Sequence, residues 1–484
     1  MGYGSIVSFA GYRQARIDEE ARRELHAWFD EWLDGLEDSM KDNERPTLGQ
    51  ITGGIFAARQ EFSQKVAETL IRKAHHEVMD QDIAPCPKCG KKIPAREDYA
   101  RTVDTMVGEV LLKRPYFYCV RCGEGFYPLD EALELCGRRK QADVQKAAVR
   151  LAAEMPYDTA QDIFAELTGL KLSDHTLHDI VNEVTCEAGV LDVIPNREII
   201  DGKLAKAADG KKRRPVLVLG IDGAHVPTRP ESAKGKRRGR RSCRARRARW
   251  QGEWREAKGF RFYLVKGDRI EHLLSWHKVQ SDEELAQALR EIKAAGLIPD
   301  DKVRLCVVAD GAKWIWKQVE EIFPSAREIL DYYHCSEHLG KVASVQFAGK
   351  PEHEREWMET VSARLFLGEV DGVIRFLSRM KPKNEDAGKE IQKLANYLKE
   401  NRERIDYKAA KKGGYPIGSG GIESSNKLIS QVRLKRSGAW WYVENANHML
   451  ALRCAKYNGT MDKLFEVHKQ KAKQKQSVVS IRNS

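Results

Sequence analysis

Two apolar runs, Val216-Leu-Val-Leu-Gly-Ile-Asp222 and Val303-Arg-Leu-Cys-Val-Val-Ala-Asp310, constrain the chain more than any other feature. Each has strand length, too little polarity to face water, and an acid at its end. The alternating, β-prone Gly259-Phe-Arg-Phe-Tyr-Leu-Val-Lys-Gly-Asp268 lies between them. Helical periodicity over 281–296 and 313–322 and a third strand in Ala326–His334 complete the pattern. Buried strands alternating with helices predict a mixed α/β sheet. Acids at the carboxyl ends of neighbouring strands converge where open α/β sheets bind ligands. As hard oxygen donors, Asp222 and Asp310 suit Mg²⁺ or Mn²⁺. Either one alone, followed by Gly223 or Gly311, also reads as turn chemistry.

A third acid strengthens the pair. Glu423 falls in the first turn of a helix that follows Gly418-Ser-Gly-Gly421. Steps of three and four from it give Asn426, Lys427, Ser430 and Arg433, a polar face suited to a phosphate backbone, with Lys435 and Arg436 just beyond. Ile422, Ile429 and Val432 lie opposite. A helix N-terminus favours an acid in any case through its dipole, which explains Glu423 but not the polar face.

Four of the ten cysteines form two C-x-x-C pairs, Cys86/Cys89 and Cys119/Cys122. Each tight turn presents two thiolates, and together they fit a closed, structural zinc site. A Gly-centred turn divides the residues between the pairs into two β-prone runs, as in a zinc ribbon. The other reading is buried free cysteines. The remaining six are scattered singly, as in a chain that keeps its thiols reduced in the cytosol.

Lysine and arginine total 83 against 71 acids, a net charge of +12. Most of the excess is local: Lys234, Lys236, Arg237, Arg238, Arg240, Arg241, Arg244, Arg246, Arg247 and Arg249 fall within one segment that holds no acid. Such a polycation predicts contact with a polyanion at one place, nucleic acid before others, because phosphate neutralisation releases counterions; a merely solvated loop is the alternative. Trp250 and Trp254 then either stack on an unpaired base or pack. Residues 1–45 are acidic, with eleven acids against six cations. A hydrophobic fraction of 42% excludes a disordered chain, and no apolar run reaches the roughly 18–20 residues of a spanning helix. The first residues lack a basic stretch followed by an apolar one, so export is not expected.

An amphipathic helix is expected over 16–40, with Leu25, Trp28, Phe29, Trp32, Leu33 and Leu36 on one face, and another over 56–79. Two short helices, one through Thr159–Leu167 and one starting near Asp174, flank Gly169. They suit a helix-turn-helix as well as a plain helical hairpin. Residues 195–215 resemble a linker. A charged helical stretch over 336–410 breaks at Lys411–Gly421, a final helix begins at Ile422, and the Lys- and Gln-rich tail after 463 is expected to fray.

The order Asp222, Asp310, Glu423 resembles the D-D-E triad of RNase H-like transposases. Tyr415–Trp441, YPIGSGGIESSNKLISQVRLKRSGAWW, is similar to the C-terminal block of the Kra branch of bacterial insertion-sequence transposases. Asp331-Tyr-Tyr-His334 is similar to the D-x-x-H element of Mutator-like transposases. The resemblance covers 215–455. It implies a multidomain α+β and α/β protein: an RNase H-like mixed-sheet catalytic domain over 215–335 and 416–460 with an all-helical insertion at 336–415. The polycation departs from the family's pattern, and the basic loop over 231–250 that would project near the acids rests on the charge argument alone. An N-terminal helical region (1–80), a zinc ribbon (81–135) and a helix-turn-helix-like DNA-binding region (136–195) precede the catalytic domain, and a flexible basic tail (461–484) follows. The implied activity is a DNA transposase that binds terminal inverted repeats and cuts and joins DNA by two-metal-ion phosphoryl transfer, with Asp222, Asp310 and Glu423 on the Mg²⁺. His334 would contact the scissile strand or the flanking phosphate and Asp331 support it, the other reading being that the two simply hydrogen-bond each other in the core; His225 would approach the metals or have no role. The implied partners are double-stranded DNA, as element ends and target, and further copies of the chain, in the bacterial cytoplasm at the nucleoid. An RNase H-like nuclease or resolvase without strand transfer and a domesticated zinc-containing DNA-binding regulator are the alternatives.

Overall fold

The computed structural model describes residues 19–41, 45–231, 251–267 and 269–482. The polycation Lys234–Arg249 and Trp250 lie outside the described residues. The chain divides into two compact units, residues up to Ile180 with those from Gln474 onward, and Val181–Lys473.

In the first unit, helices α1 (Glu19–Met40) and α2 (Leu48–Met79) pack antiparallel. Phe62 meets Phe29 edge-on and Trp32 at a tilt, and Trp32 Nε1 donates to the Ala58 carbonyl at 2.9 Å. Of the expected apolar face of α1, Leu36 is buried whereas Phe29 and Leu33 stay exposed. Strands β1 (Ile83–Pro85), β2 (Lys92–Thr105), β3 (Gly108–Cys119) and β4 (Glu124–Phe126) form an antiparallel sheet in that order. Gly108 takes φ +121° where β2 turns into β3, a conformation open to glycine. Val103, Val110 and Leu112 of this hairpin pack with Leu129 of α3 (Pro128–Ala132) and with Ala67 and Ile71 of α2. Ribbon and N-terminal helices thus share one core, where separate regions were expected.

Buried Asp104 pairs with Lys140 and, at 2.7 Å, with Arg139, tying the hairpin to the segment that leads into α4 (Ala142–Ala152). The expected helical pair is α5 (Tyr157–Thr168) and α6 (Asp174–Thr185), with Gly169 left-handed at φ +75° between them. Arg59 and Gln60 of α2 donate to the Thr168 carbonyl at 2.8 and 2.6 Å, closing the end of α5.

The second unit is built on a five-stranded mixed sheet in the order β7-β6-β5-β8-β9. After α7 (Val190–Val193) and α8 (Arg197–Ala208) come β5 (Val216–Thr228), β6 (Glu253–Lys266) and β7 (Arg269–Val279), an antiparallel meander. Then α9 (Asp282–Ala294), β8 (Arg304–Ala309), α10 (Lys313–Ile322) and β9 (Arg327–Leu330) follow, with β8 parallel to β5 and to β9. The residues expected as a linker form α8 instead, because Ile200, Leu204 and Ala207 recur at helical spacing and are buried. Helices α11 (Tyr332–Gln346), α12 (Pro351–Phe366), α13 (Val370–Arg379), α14 (Glu385–Glu400) and α15 (Tyr407–Lys412) fill the expected helical stretch.

The helix expected from Ile422 is α16 (Gly420–Asn426), which runs through a π turn (Lys427–Gln431) into α17 (Val432–Leu434). It is not the last. Helix α18 (Val443–Asn458) covers the edge strand β7, whose backbone is satisfied by side chains. Asn447 accepts from Val279 N at 2.8 Å, and Asn458 accepts from Ser275 N and donates to its carbonyl, both at 2.8 Å. The tail expected to fray is helical as α19 (Met461–Arg482), with Leu464 and Phe465 buried. Lys463 caps α7 by donating to the Leu191 and Ile194 carbonyls. No described helix is long and apolar enough to cross a membrane.

Candidate active site

The first unit holds a cysteine cluster. Sulfurs of Cys86, Cys89, Cys119 and Cys122 all lie within 4.8 Å of one another, with Cys86–Cys122 at 3.9 Å and Cys89–Cys119 at 3.7 Å. Four thiolates at about 2.3 Å from one zinc ion stand about 3.8 Å apart, so the donor set fits tetrahedral zinc. The two knuckles repeat one geometry: Gly90 N donates to the Cys86 carbonyl and Gly123 N to the Cys119 carbonyl, each at 2.9 Å, with both glycines left-handed. The backbone N–H of Lys91 and the Cys122 thiol favour the Cys89 thiolate and pull it down to about 7, whereas Cys122, beside Cys89 and its other neighbours, is pushed up to about 12. Four thiols this close cannot all ionise without a cation among them.

The second cluster lies at the carboxyl ends of the parallel strands. Gly220 pairs with Val308 and Ala309 with Leu330, so the register carried two residues along β5 and one along β8 and β9 sets Asp222, Asp310 and Asp331 level with one another. Asp222 does not close its strand, as the sequence suggested. Strand β5 runs on to Thr228 because β6 pairs with it throughout, while its partner β8 has ended. Its carboxylate accepts from Gly223 N and from Asn426 Nδ2, each at 2.7 Å. Burial pushes its pKa up to about 6, and the charges of Asp310 and Glu423 add to the rise. Asp310 accepts from Ala312 N at 2.9 Å, the turn contact its Asp-Gly sequence allows. Tyr397 of α14 occupies the place where a side chain on Gly311 would project, bringing the helical insertion beside Asp310.

Glu423 is brought to these aspartates by glycine-permitted packing. A Cβ on Gly220 would stand 2.8 Å from Ile422 Cβ, and one on Gly421 would stand 2.5 Å from the Tyr263 ring, so α16 rests directly on β5 and β6. Buried Arg261 of β6 donates to the Gly421 carbonyl at 2.6 Å and to Ser424 Oγ at 2.8 Å. Ser425 is held by Ser275 and by His277, at 3.1 and 2.9 Å. Glu423 itself remains exposed, accepting from Ser419 Oγ at 2.6 Å.

Other expected site residues separate. Asp331 is buried as the N-cap of α11, accepting from Tyr333 N at 2.7 Å and His334 N at 3.2 Å, and it also accepts from Ser419 N at 3.0 Å. Its carboxylate therefore shapes the loop in front of Glu423, and the expected third strand stops at Leu330, before Asp-Tyr-Tyr-His. His334 is half-buried on α11, 3.7 Å from Glu337. His225 is exposed and, three residues along β5 from Asp222, points to the opposite face of the sheet.

Lys427, Lys435 and Arg436 are exposed. Arg433 is not on that surface: it is 3% exposed, with its guanidinium 5.1 Å from the centre of the Trp441 ring. Asn426 is equally buried and faces Asp222, not solvent. Trp254 is exposed and meets Trp440 edge-on at 6.1 Å.

Residues 56–471 match the model of an uncharacterised protein family, UPF0236. No curated protein matches the chain.

Proposed function

The chain belongs to this uncharacterised family, and from its carboxylate cluster we propose that it is a DDE transposase, a DNA-cutting and DNA-joining enzyme of the RNase H-like class. The observation that carries the reading is geometric: the register sets Asp222 and Asp310 level at the carboxyl ends of parallel strands, and α16, resting on β5 and β6, brings Glu423 to them. The sheet supports it: a three-strand meander followed by two parallel strands suits an RNase H-like domain, and α11–α15 take the place of the all-helical insertion.

Asp222, Asp310 and Glu423 would hold Mg²⁺ or Mn²⁺. Three carboxylates, with the charges of Asp310 and Glu423 close enough to raise the proton affinity of Asp222, are a donor set suited to hard cations. When bound, such ions supply Lewis acidity and charge neutralisation for in-line attack at a phosphodiester. The protein's own groups orient the reactants. Ser419 steadies Glu423, Asp331 fixes the loop carrying Ser419, and Arg261 locks α16 to the sheet. Exposed Lys427, Lys435 and Arg436 would offer phosphate contacts beyond the acids, and half-buried His334 on α11 would contact the strand to be cut.

DNA would also be met by the helical pair α5–α6 and by the polycation between β5 and β6. The zinc ribbon would serve as structural support. Two element ends joined in one reaction call for more than one copy of the chain, acting in the bacterial cytoplasm at the nucleoid.

The test is incubation of the purified protein with Mg²⁺ and a duplex carrying the inverted repeats that flank its gene. Strand-transfer products support the reading. Nicks alone make the protein a nuclease or resolvase, and binding without cleavage makes it a regulator.

A further inference from the structure

Within the proposed site, Asn426 has no assigned part, and its surroundings differ from those of a DNA-contacting side chain. It sits one turn after Glu423 yet is 3% exposed, whereas Glu423 and Lys427 are open to solvent. Its Nδ2 donates to Asp222 Oδ2 at 2.7 Å. Its buried Oδ1 closes no hydrogen bond; its side chain lies beside His277, which is fully buried and, chiefly through burial, held neutral with its pKa down to about 3. His277 is itself fixed by Ser425 at 2.9 Å.

The backbone is built around this placement. At Asn426 the α-helix passes into the π turn Lys427–Gln431, a wide turn often found at functional sites. Two of its carbonyls, those of Leu428 and Ile429, are taken by buried Arg453 of α18, the second at 2.8 Å. A buried cation and a helical irregularity are thus committed to the segment that begins at Asn426. The side-chain type fits one task. An N–H donor aimed at Asp222 must be neutral, because another acid would crowd the carboxylates and a cation would compete with the ion they hold. An amide also offers an oxygen toward the imidazole.

We infer that Asn426 is a positioning residue, oriented by His277 and Ser425, that fixes the Asp222 carboxylate for divalent-cation binding. Hydrogen-bonded outer partners orient metal-binding groups and are commonly worth 10- to 100-fold in metal affinity. The inference rests on the reading of Asp222, Asp310 and Glu423 as a cation site.

It is tested on the zinc-loaded full chain by Mn²⁺ titration calorimetry, with melting temperature recorded in metal-free buffer. Asn426→Ala and the near-isosteric Asn426→Leu should each weaken Mn²⁺ binding by about 10- to 100-fold, with the Leu variant retaining the melting temperature. In DNA cleavage, kcat should fall while KM for the DNA stays unchanged. Mn²⁺ affinity within about twofold of wild type in either folded variant overturns the inference and leaves Asn426 as packing. Wild-type protein that binds no Mn²⁺, or binds it undiminished after Asp222→Ala, overturns the cation reading itself and the role of Asn426 with it.

Discussion

The two donor clusters of this chain are built on opposite plans. Four thiols come from two local turns, close to within 4.8 Å of one another, and sit within a hairpin whose own core holds them. The three carboxylates come from residues 88 and 113 positions apart in sequence, 222 to 310 to 423, and no such tight set forms. Each instead turns to a donor of its own: Gly223 and the distant Asn426 for Asp222, Ala312 for Asp310, and Ser419 for Glu423. A site with every ligand position filled by protein can only hold a fold together. One with loosely gathered, partly exposed acids keeps room for a substrate.

The largest expected effect falls on the closed cluster. Cys119→Ser should remove zinc, from about one ion per chain, and unfold the β1–β4 hairpin, because structural zinc in small domains contributes on the order of 10 kcal/mol. Metal analysis and hydrogen exchange over 83–126 would show it, and a zinc-free but fully protected hairpin would end the comparison. On the open cluster, Asp310→Ala or Glu423→Gln should lower cleavage by about 10³-fold or more while leaving the fold intact, as expected for loss of several kcal/mol of charge stabilisation. Turnover assays with circular dichroism separate the two effects.

Asp222 provides a pH signature in the acid range, well below that of the cysteines. Its folded pKa is raised to about 6 by burial first and then by Asp310 and Glu423, so the folded state holds its proton more tightly than the unfolded chain does. The contribution of Asp222 to metal-free stability should therefore be greatest below about pH 4 and fall by on the order of 2 kcal/mol as pH rises from about 4 to about 6. Asp222→Asn should flatten this dependence, and denaturant titrations at several pH values would measure it. Gly220→Ala should cost about 1–3 kcal/mol, because its methyl would press on Ile422 and lift α16 from β5. Unfolding free energy alone tests that, and an unchanged value would mean α16 shifts freely. The smallest effect is electrostatic: neutralising Lys427, Lys435 and Arg436 together should reduce the salt slope of DNA binding by up to about 3.

Much of the second unit was legible because its signals are local. Apolar runs found β5 and β8, helical periodicity over 281–296 found α9, and glycines marked the break before α16. What escaped the sequence depended on neighbours distant along the chain. Asn426 and Arg433 look like surface polar residues until the sheet and Trp441 are set against them. Asp331 carries a cap signature, but it becomes readable only once β9 is known to stop at Leu330. The linker over 195–215 masked a helix because lysines outnumber the three apolar positions that bury it. Strand β7 went unassigned because its edge is completed by asparagine side chains from α18, residues 168 to 183 positions away.

The π turn after Asn426 also acts as a phase shifter. An α-helix advances about 100° per residue, so the extra residue in a wide turn offsets everything that follows by roughly that angle. The acid-bearing first half of the segment and the cation-bearing second half are thereby aimed independently, although one continuous helix carries both. Deleting Leu428 would restore regular winding at the cost of that independence, rotating Arg433 out from beneath Trp441 while Glu423 stayed in place.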